Sequence, residues 1–167
     1  MKELTIIRHA KSDWGDASLD DHDRPLNQRG SRDAPAMGKA LAERGVRPEV
    51  IVSSTANRAF TTACLIAKEI GYPEDEIVRR EALYLPRPDQ VLQVLRDLDE
   101  DFGSAMIFGH NPGFHELAWQ MTRPSERDEL DQFPTCAVAR LKLPIEFWGE
   151  IDFGVGELVE FLYPKAL

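Results

Sequence analysis

A chain of 167 residues, 43% apolar and 8% aromatic, has room for one domain spanning 1–167, with roughly 70% of its unfolded surface buried. Twenty Lys and Arg against 29 Asp and Glu leave a net charge of −9, which excludes the broad basic footprint of a nucleic-acid binder. Two cysteines, Cys64 and Cys136, are too few for a disulfide framework and point to a reducing, cytoplasmic setting, while no apolar run is long enough to span a membrane.

Short apolar runs alternate with stretches of helical period along the chain. Leu4–Ile7 is expected as the first strand, too short for a signal peptide. From Asn27 to Arg44, Ala34, Met37 and Leu41 recur at helical spacing, and Gly45 stops the segment. Pro35 leaves two readings, a helix that starts near Ser31 or one that is kinked. After the strand Val50–Val52, the apolar stripe Ala56, Ala59, Phe60, Ala63, Cys64, Ala67 and Ile70 marks one face of a helix. Ser54 or Thr55 would cap its start, and Gly71 and Pro73 would end it.

A short extra strand is expected around Val78. A helix through Val91, Leu92, Leu95 and Leu98 follows Pro88, then the strand Ala105–Phe108, then a helix through Phe114, Leu117, Ala118 and Met121 ended by Pro124. Arg123 to Pro134 reads as a solvated polar loop, before the strands Ala137–Leu143 and Leu158–Leu162. The alternation is that of an α/β fold, a single three-layer domain with a mostly parallel central sheet flanked by helices.

Three of the strands run into residues that seek phosphate. The first ends in Arg8-His9-Ala10-Lys11, the second in Ser53-Ser54-Thr55 with Arg58 a helical turn later, and the third in Gly109-His110-Asn111-Pro112-Gly113. Ligands of open α/β sheets lie beyond the carboxyl ends of the strands. If these three are parallel neighbours, two guanidiniums, two imidazoles and a helix start converge on a site for a tetrahedral dianion.

Other chemistries fail on the letters. A cysteine-phosphatase loop needs Cys-x5-Arg, but Ile70 and Lys142 occupy the matching offsets from Cys64 and Cys136. Neither G-x-x-x-x-G-K-[ST] nor G-x-S-x-G occurs. Arginines stand where a metal hydrolase would place carboxylates, so no metal is expected. Asp20-Asp21-His22-Asp23 reads as an acidic surface loop, and His115 as a helix-face residue.

Taken in order, Arg8-His9-Ala10-Lys11-Ser12, Asp23-Arg24-Pro25-Leu26-Asn27-x-x-Gly30, Ser53-Ser54-x-x-x-Arg58-x-x-x-Thr62-Ala63 and Gly109-His110-Asn111-Pro112 resemble the histidine phosphatase superfamily. Within it they look most like the short SixA-type phosphohistidine phosphatases. The resemblance implies a phosphoglycerate mutase-like fold. It makes His9 the nucleophile, Arg8 and Arg58 the phosphate clamps, and His110 the second histidine, with Lys11 and Asn111 as further phosphate contacts.

Two positions depart from the wider family. Ala10 stands where the Arg-His-Gly motif has Gly, and Asn111 stands where the acid-phosphatase branch has an Asp general acid. In other branches the acid is a Glu, and Glu81 in Arg79-Arg80-Glu81-Ala82-Leu83-Tyr84 matches it. Phosphoryl transfer asks chiefly for positioning and charge neutralisation, which Arg8, Arg58 and His110 supply without metal or cofactor. The positive potential is needed only inside the pocket, so an acidic chain is no obstacle.

Between Ile70 and Ala105 there is room for a short strand and one helix, so no long lid is expected over the site. The implied partner is a phosphorylated protein, with protein phosphohistidine as the leading substrate. A small phosphorylated molecule, and hence a phosphomonoesterase of the same superfamily, is the second reading. An inactive phospho-ligand binding module is the third, although binding alone would not require His9.

Overall fold

In the computed structural model, which describes residues 1–167, the apolar runs become six strands: β1 (Lys2–Arg8), β2 (Val50–Ser54), β3 (Val78–Arg80), β4 (Ser104–Gly109), β5 (Val138–Leu143) and β6 (Glu157–Leu162). They form one sheet in the order β3-β2-β4-β1-β5-β6. The pairs β2–β3, β2–β4 and β1–β4 are parallel, and β1–β5 and β5–β6 are antiparallel. The sheet is thus mostly parallel, and the three strands that end in reactive residues are neighbours.

The central strands are apolar at successive positions because both of their faces are covered. Leu4, Ile6, Val50, Val52, Ala105 and Ile107 face one core. There they meet α3 (Pro88–Arg96) and α4 (Gly113–Met121) through Val91, Leu92, Leu95, Phe114 and Leu117. Ile7, Ile51, Met106 and Phe108 face the other. That core is closed by α1 (Gln28–Glu43) and α2 (Asn57–Ile70) through Ala34, Met37, Leu41, Ala63 and Ile66. The period of two in each strand sorts its side chains between two helical layers, giving the expected three-layer architecture.

Three local expectations are corrected. Helix α1 begins at Gln28 rather than near Ser31 and runs on through Pro35. The start is fixed upstream, where the Asn27 side chain accepts from the Gly30 N–H at 2.9 Å and the Asn27 N–H donates to the Lys11 carbonyl at 3.0 Å. A Cβ at Gly30 would overlap that same carbonyl, which explains the glycine three residues after Asn27.

Neither Ser54 nor Thr55 caps α2, whose N-cap is Ala56 without a side-chain cap. The Ser54 hydroxyl lies 2.8 Å from His110 Nε2, and the Thr55 hydroxyl lies 2.8 Å from His22 Nε2. Arg123–Pro134 is not a plain solvated loop either: Pro124–Leu130 forms a 3-10 turn, and Leu130 and Phe133 are buried. Its charges are absorbed locally, with Arg123 paired to Glu126 and the Arg127 guanidinium 4.1 Å above the Trp119 ring.

Candidate active site

The parallel register brings the three strand ends level. Arg8 pairs with Gly109 and Ser53 with Phe108, and the His9 N–H donates to the Gly109 carbonyl at 2.9 Å. His9 and His110, the residues just beyond β1 and β4, therefore face each other with ring centroids 5.1 Å apart. Arg58 enters from the first turn of α2. A Cβ at Gly109 would collide with the Phe114 ring, so glycine lets α4 pack directly behind His110.

Each imidazole has a defined hydrogen-bonding side. His9 Nδ1 lies 2.7 Å from the Ala10 carbonyl, a partner that only accepts, so Nδ1 carries the hydrogen and Nε2 keeps a free lone pair. The adjacent backbone is held as well. The Ala10 N–H donates to the Thr62 hydroxyl at 3.0 Å, and that hydroxyl donates to the Arg58 carbonyl at 2.7 Å. His110 Nε2 lies 2.8 Å from the Ser54 hydroxyl; when that hydroxyl donates, the hydrogen of the neutral ring sits on Nδ1.

Burial disfavours the charged form of both rings, and the guanidiniums reinforce it. His9 is pushed down to about 4 by burial first, against a raising contribution from the Ala10 carbonyl, and then by Arg58, Arg8 and Arg24. His110 is pushed down to about 2 by burial, with His9 and Arg58 adding to it. His9 is expected to stay neutral, protonated at Nδ1, in ring nitrogen NMR spectra recorded from pH 8 down to about 5; an imidazole titrating near its ordinary value of about 6.5 would contradict this site. In the unfolded chain both rings take up protons near that ordinary value. The stability tied to their neutral state is complete above it and is lost as the pH falls towards the folded values.

The arginines are fixed from behind. Arg58 donates from Nη1 to the Asp21 carbonyl at 2.7 Å and from Nη2 to the Asp21 carboxylate at 2.9 Å. Arg8 donates from Nη1 to the Phe133 carbonyl at 3.1 Å, which also accepts from Asn111 Nδ2 at 2.8 Å. Buried side-chain polar atoms without a protein partner number four in the whole chain: Arg8 Nε, Arg58 Nε, His110 Nδ1 and Asn111 Oδ1. All belong to this cluster. Buried donors are otherwise paired as a rule, so three unpartnered donors gathered in the cluster that holds His9 are suited to an anionic acceptor.

Arg8, His9, Arg58, His110 and Asn111 thus come together as the sequence suggests. Lys11, two residues after His9, is half-buried, and its carbonyl accepts from the Asn27 N–H. Glu81 is exposed at the start of the 3-10 turn Glu81–Leu83 that follows β3. It lies one residue beyond Arg80, which pairs with Ser54, on the same rim.

Asp20–Asp23 lies at the surface as an acidic loop is expected to, with Asp20, Asp21 and Asp23 exposed, but Asp21 is tied into the site. The Asp21 carboxylate binds Arg58, Arg24 at 3.2 Å and the Tyr84 hydroxyl at 2.5 Å. Burial alone would raise Asp21, but the Tyr84 and Arg58 hydrogen bonds outweigh it and hold the carboxyl down at about 2.

Other contributors carried no motif. The Tyr84 ring stands edge-on to His110 at 5.4 Å. His115, on α4, bonds the Leu130 carbonyl at 2.6 Å and stacks on Phe133 at 5.9 Å, supporting the carbonyl shared by Arg8 and Asn111. Only the apolar letters Leu130 and Phe133 in the charged run hinted that it folds inward.

Fold and site together define a phosphatase of the phosphoglycerate mutase-like fold. The chain belongs to the histidine phosphatase superfamily (branch 1), whose family model matches residues 4–84. It is similar to the crystal structure of the putative phosphohistidine phosphatase SixA from Agrobacterium tumefaciens, with 27% identity, 98% of each chain covered and a TM-score of 0.81. An uncharacterized protein of Mycobacterium tuberculosis is 30% identical over 165 residues, covering 95% of this chain and all of the relative. A 2,3-bisphosphoglycerate-dependent phosphoglycerate mutase of Rhizobium etli is 37% identical over 82 residues, 48% of this chain and 39% of the mutase.

Proposed function

We propose that the protein is a metal-independent phosphatase that works through a phosphohistidine on His9, with protein phosphohistidine as its substrate. The observation that carries the mechanism is the free Nε2 of His9 beside three buried, unpartnered donors of Arg8, Arg58 and His110. A phosphoryl group set among them meets the nucleophile on one side and charge neutralisation on its oxygens. Two guanidiniums at the same place repel a dication, so the neutralisation comes from the side chains themselves.

In the first step the Nε2 lone pair forms a bond to phosphorus as the bond from phosphorus to the leaving group breaks, and the leaving group departs with that electron pair. In the second, water attacks phosphorus, the P–N bond breaks, its electrons return to Nε2, and phosphate leaves. His9 Nδ1–H stays on the Ala10 carbonyl throughout. The similarity to a SixA phosphohistidine phosphatase supports a protein-borne phosphoryl group. The similarity of half the chain to a mutase supports the second reading, a small-molecule phosphomonoesterase.

Chelator-treated enzyme, acid-free quenched during turnover of a radiolabelled aryl phosphate, should carry phosphate that is stable in alkali, lost in acid, and mapped to His9. Label elsewhere, label retained in His9→Ala, or a rate restored only by added dication would each overturn the mechanism. Turnover of a phosphohistidine protein against a panel of small phosphate esters decides the substrate.

A further inference from the structure

The rim of the site is built by an excursion of the chain between Ser12 and Leu26, which pair as an isolated antiparallel bridge. Its neck is closed by the Asp13 N–H donating to the Pro25 carbonyl at 2.8 Å. The buried guanidinium of Arg24 pins it down, donating from Nη1 to the Ser12 hydroxyl at 3.1 Å and to the Asp13 carbonyl at 3.3 Å. Trp14 lies on this guanidinium, with Arg24 Cζ 3.3 Å from its ring centroid, yet it remains 71% exposed. One face of the indole is held and the rest is presented to solvent.

Asp21 joins this loop to the other half of the rim. One carboxylate oxygen takes Arg24 and the second takes Arg58 and the Tyr84 hydroxyl. Leu85, the residue after Tyr84, is 53% exposed and has a φ of 47°. A left-handed backbone is costly for a side chain branched like leucine and is usually given to glycine or asparagine. Strain of this kind persists where the surroundings enforce it, often at binding sites. Here it holds an apolar side chain out into water next to a ring that touches His110.

Trp14, Arg24, Asp21, Tyr84 and Leu85 thus form one connected arc joined to Arg58 and His110. The loop that carries half of it also carries five aspartates, Asp13, Asp16, Asp20, Asp21 and Asp23. With Asp21 neutralised by Arg58 and Arg24, a phosphoryl group passing this rim enters between guanidiniums. On the loop side, whatever bears it meets the apolar surface of Trp14 and the charge of Asp13, Asp16, Asp20 and Asp23. A small molecule with several anionic groups is repelled there. A polypeptide with apolar and basic side chains around its phosphorylated residue is matched on both counts.

Resting on the phosphohistidine-protein reading above, we propose that the Trp14–Leu85 arc docks the polypeptide substrate, apolar neighbours of the phosphohistidine packing on Trp14 and Leu85 and basic ones facing the aspartate-rich loop. Aromatic anchors of this exposure dominate many interfaces.

The test uses two synthetic peptides, each with one phosphohistidine, flanked in one by Leu and Lys and in the other by Gly and Glu. The measured quantity is the ratio of their kcat/KM values, which cancels any general loss of folded enzyme. Wild type should favour the Leu/Lys peptide by about tenfold or more, the size of a single anchor. Leu85→Gly, which suits the left-handed backbone, and Trp14→Ala should each move the ratio towards one, and added salt should reduce it. A wild-type ratio near one, or a ratio unmoved in both variants, overturns the docking arc while leaving the phosphohistidine reading intact. Failure to hydrolyse either peptide, with aryl phosphate still turned over, overturns both.

Discussion

Arg58→Ala is expected to lower turnover on the order of 10²-fold or more, while Arg58→Lys keeps part of the rate. Arg58 is 3% exposed, with both Nη atoms committed to Asp21 and Nε left without a protein partner. Lysine restores a point charge but cannot hold Asp21 at two positions and still offer a donor to phosphate. Alanine also leaves the Asp21 carboxylate with Arg24 and Tyr84 alone, so the Asp21 loop should lose its anchor to α2. Rates measured well below the melting temperature, with the fold checked by circular dichroism, separate the clamp from the scaffold. If Arg58→Ala is near wild type at saturating and at low substrate, the end of β2 does not grip the phosphate.

The sheet was legible because buried strands and amphipathic helices write their periods directly into the residues. Val50–Val52 and Ala105–Phe108 read as continuous apolar runs since both faces of β2 and β4 are covered. The convergence of Arg8, His9, Arg58 and His110 was legible for a related reason: parallel neighbouring strands place their ends side by side, so polar residues at three ends imply one site.

What supports those residues was not legible. Asp21 looks like any acid in an acidic loop, and its value lies in reaching Arg58 across 37 residues of chain. The Phe133 carbonyl, which organises Arg8 and Asn111, is a backbone atom and leaves no mark on composition. The hydroxyls of Ser54 and Thr55 satisfied a local capping rule in the sequence, but tertiary partners, His110 and His22, claimed them instead. Of the two readings Pro35 allowed, the late start near Ser31 fails because α1 begins at Gln28. The Asn27 cap and the fit of Gly30 against Lys11 set the start of α1, and its packing on α2 carries the helix past the missing proline N–H.

Glu81→Gln should slow alkyl phosphate esters by roughly 10²- to 10⁴-fold, the range of general acid help, and affect phosphohistidine peptides far less. An alkoxide leaving group is strongly basic and needs a proton as the bond to phosphorus breaks. The imidazole of phosphohistidine, protonated on its other nitrogen, departs as a neutral molecule. The neighbouring candidates for the donor are otherwise occupied. Asn111 is an amide, with Nδ2 given to the Phe133 carbonyl; the Tyr84 hydroxyl is given to Asp21, and burial and that carboxylate raise its pKa; Asp21 itself is held ionised by Tyr84 and Arg58. Glu81 is exposed just beyond the edge strand, next to the residue that pairs with Ser54, and its carboxyl is uncommitted to the phosphate clamps. Both substrates measured on wild type and Glu81→Gln decide the role. Equal slowing would mean that Glu81 positions phosphate or water, and no effect on either would make it a surface carboxylate, leaving the ester reaction to rely on solvent for its proton.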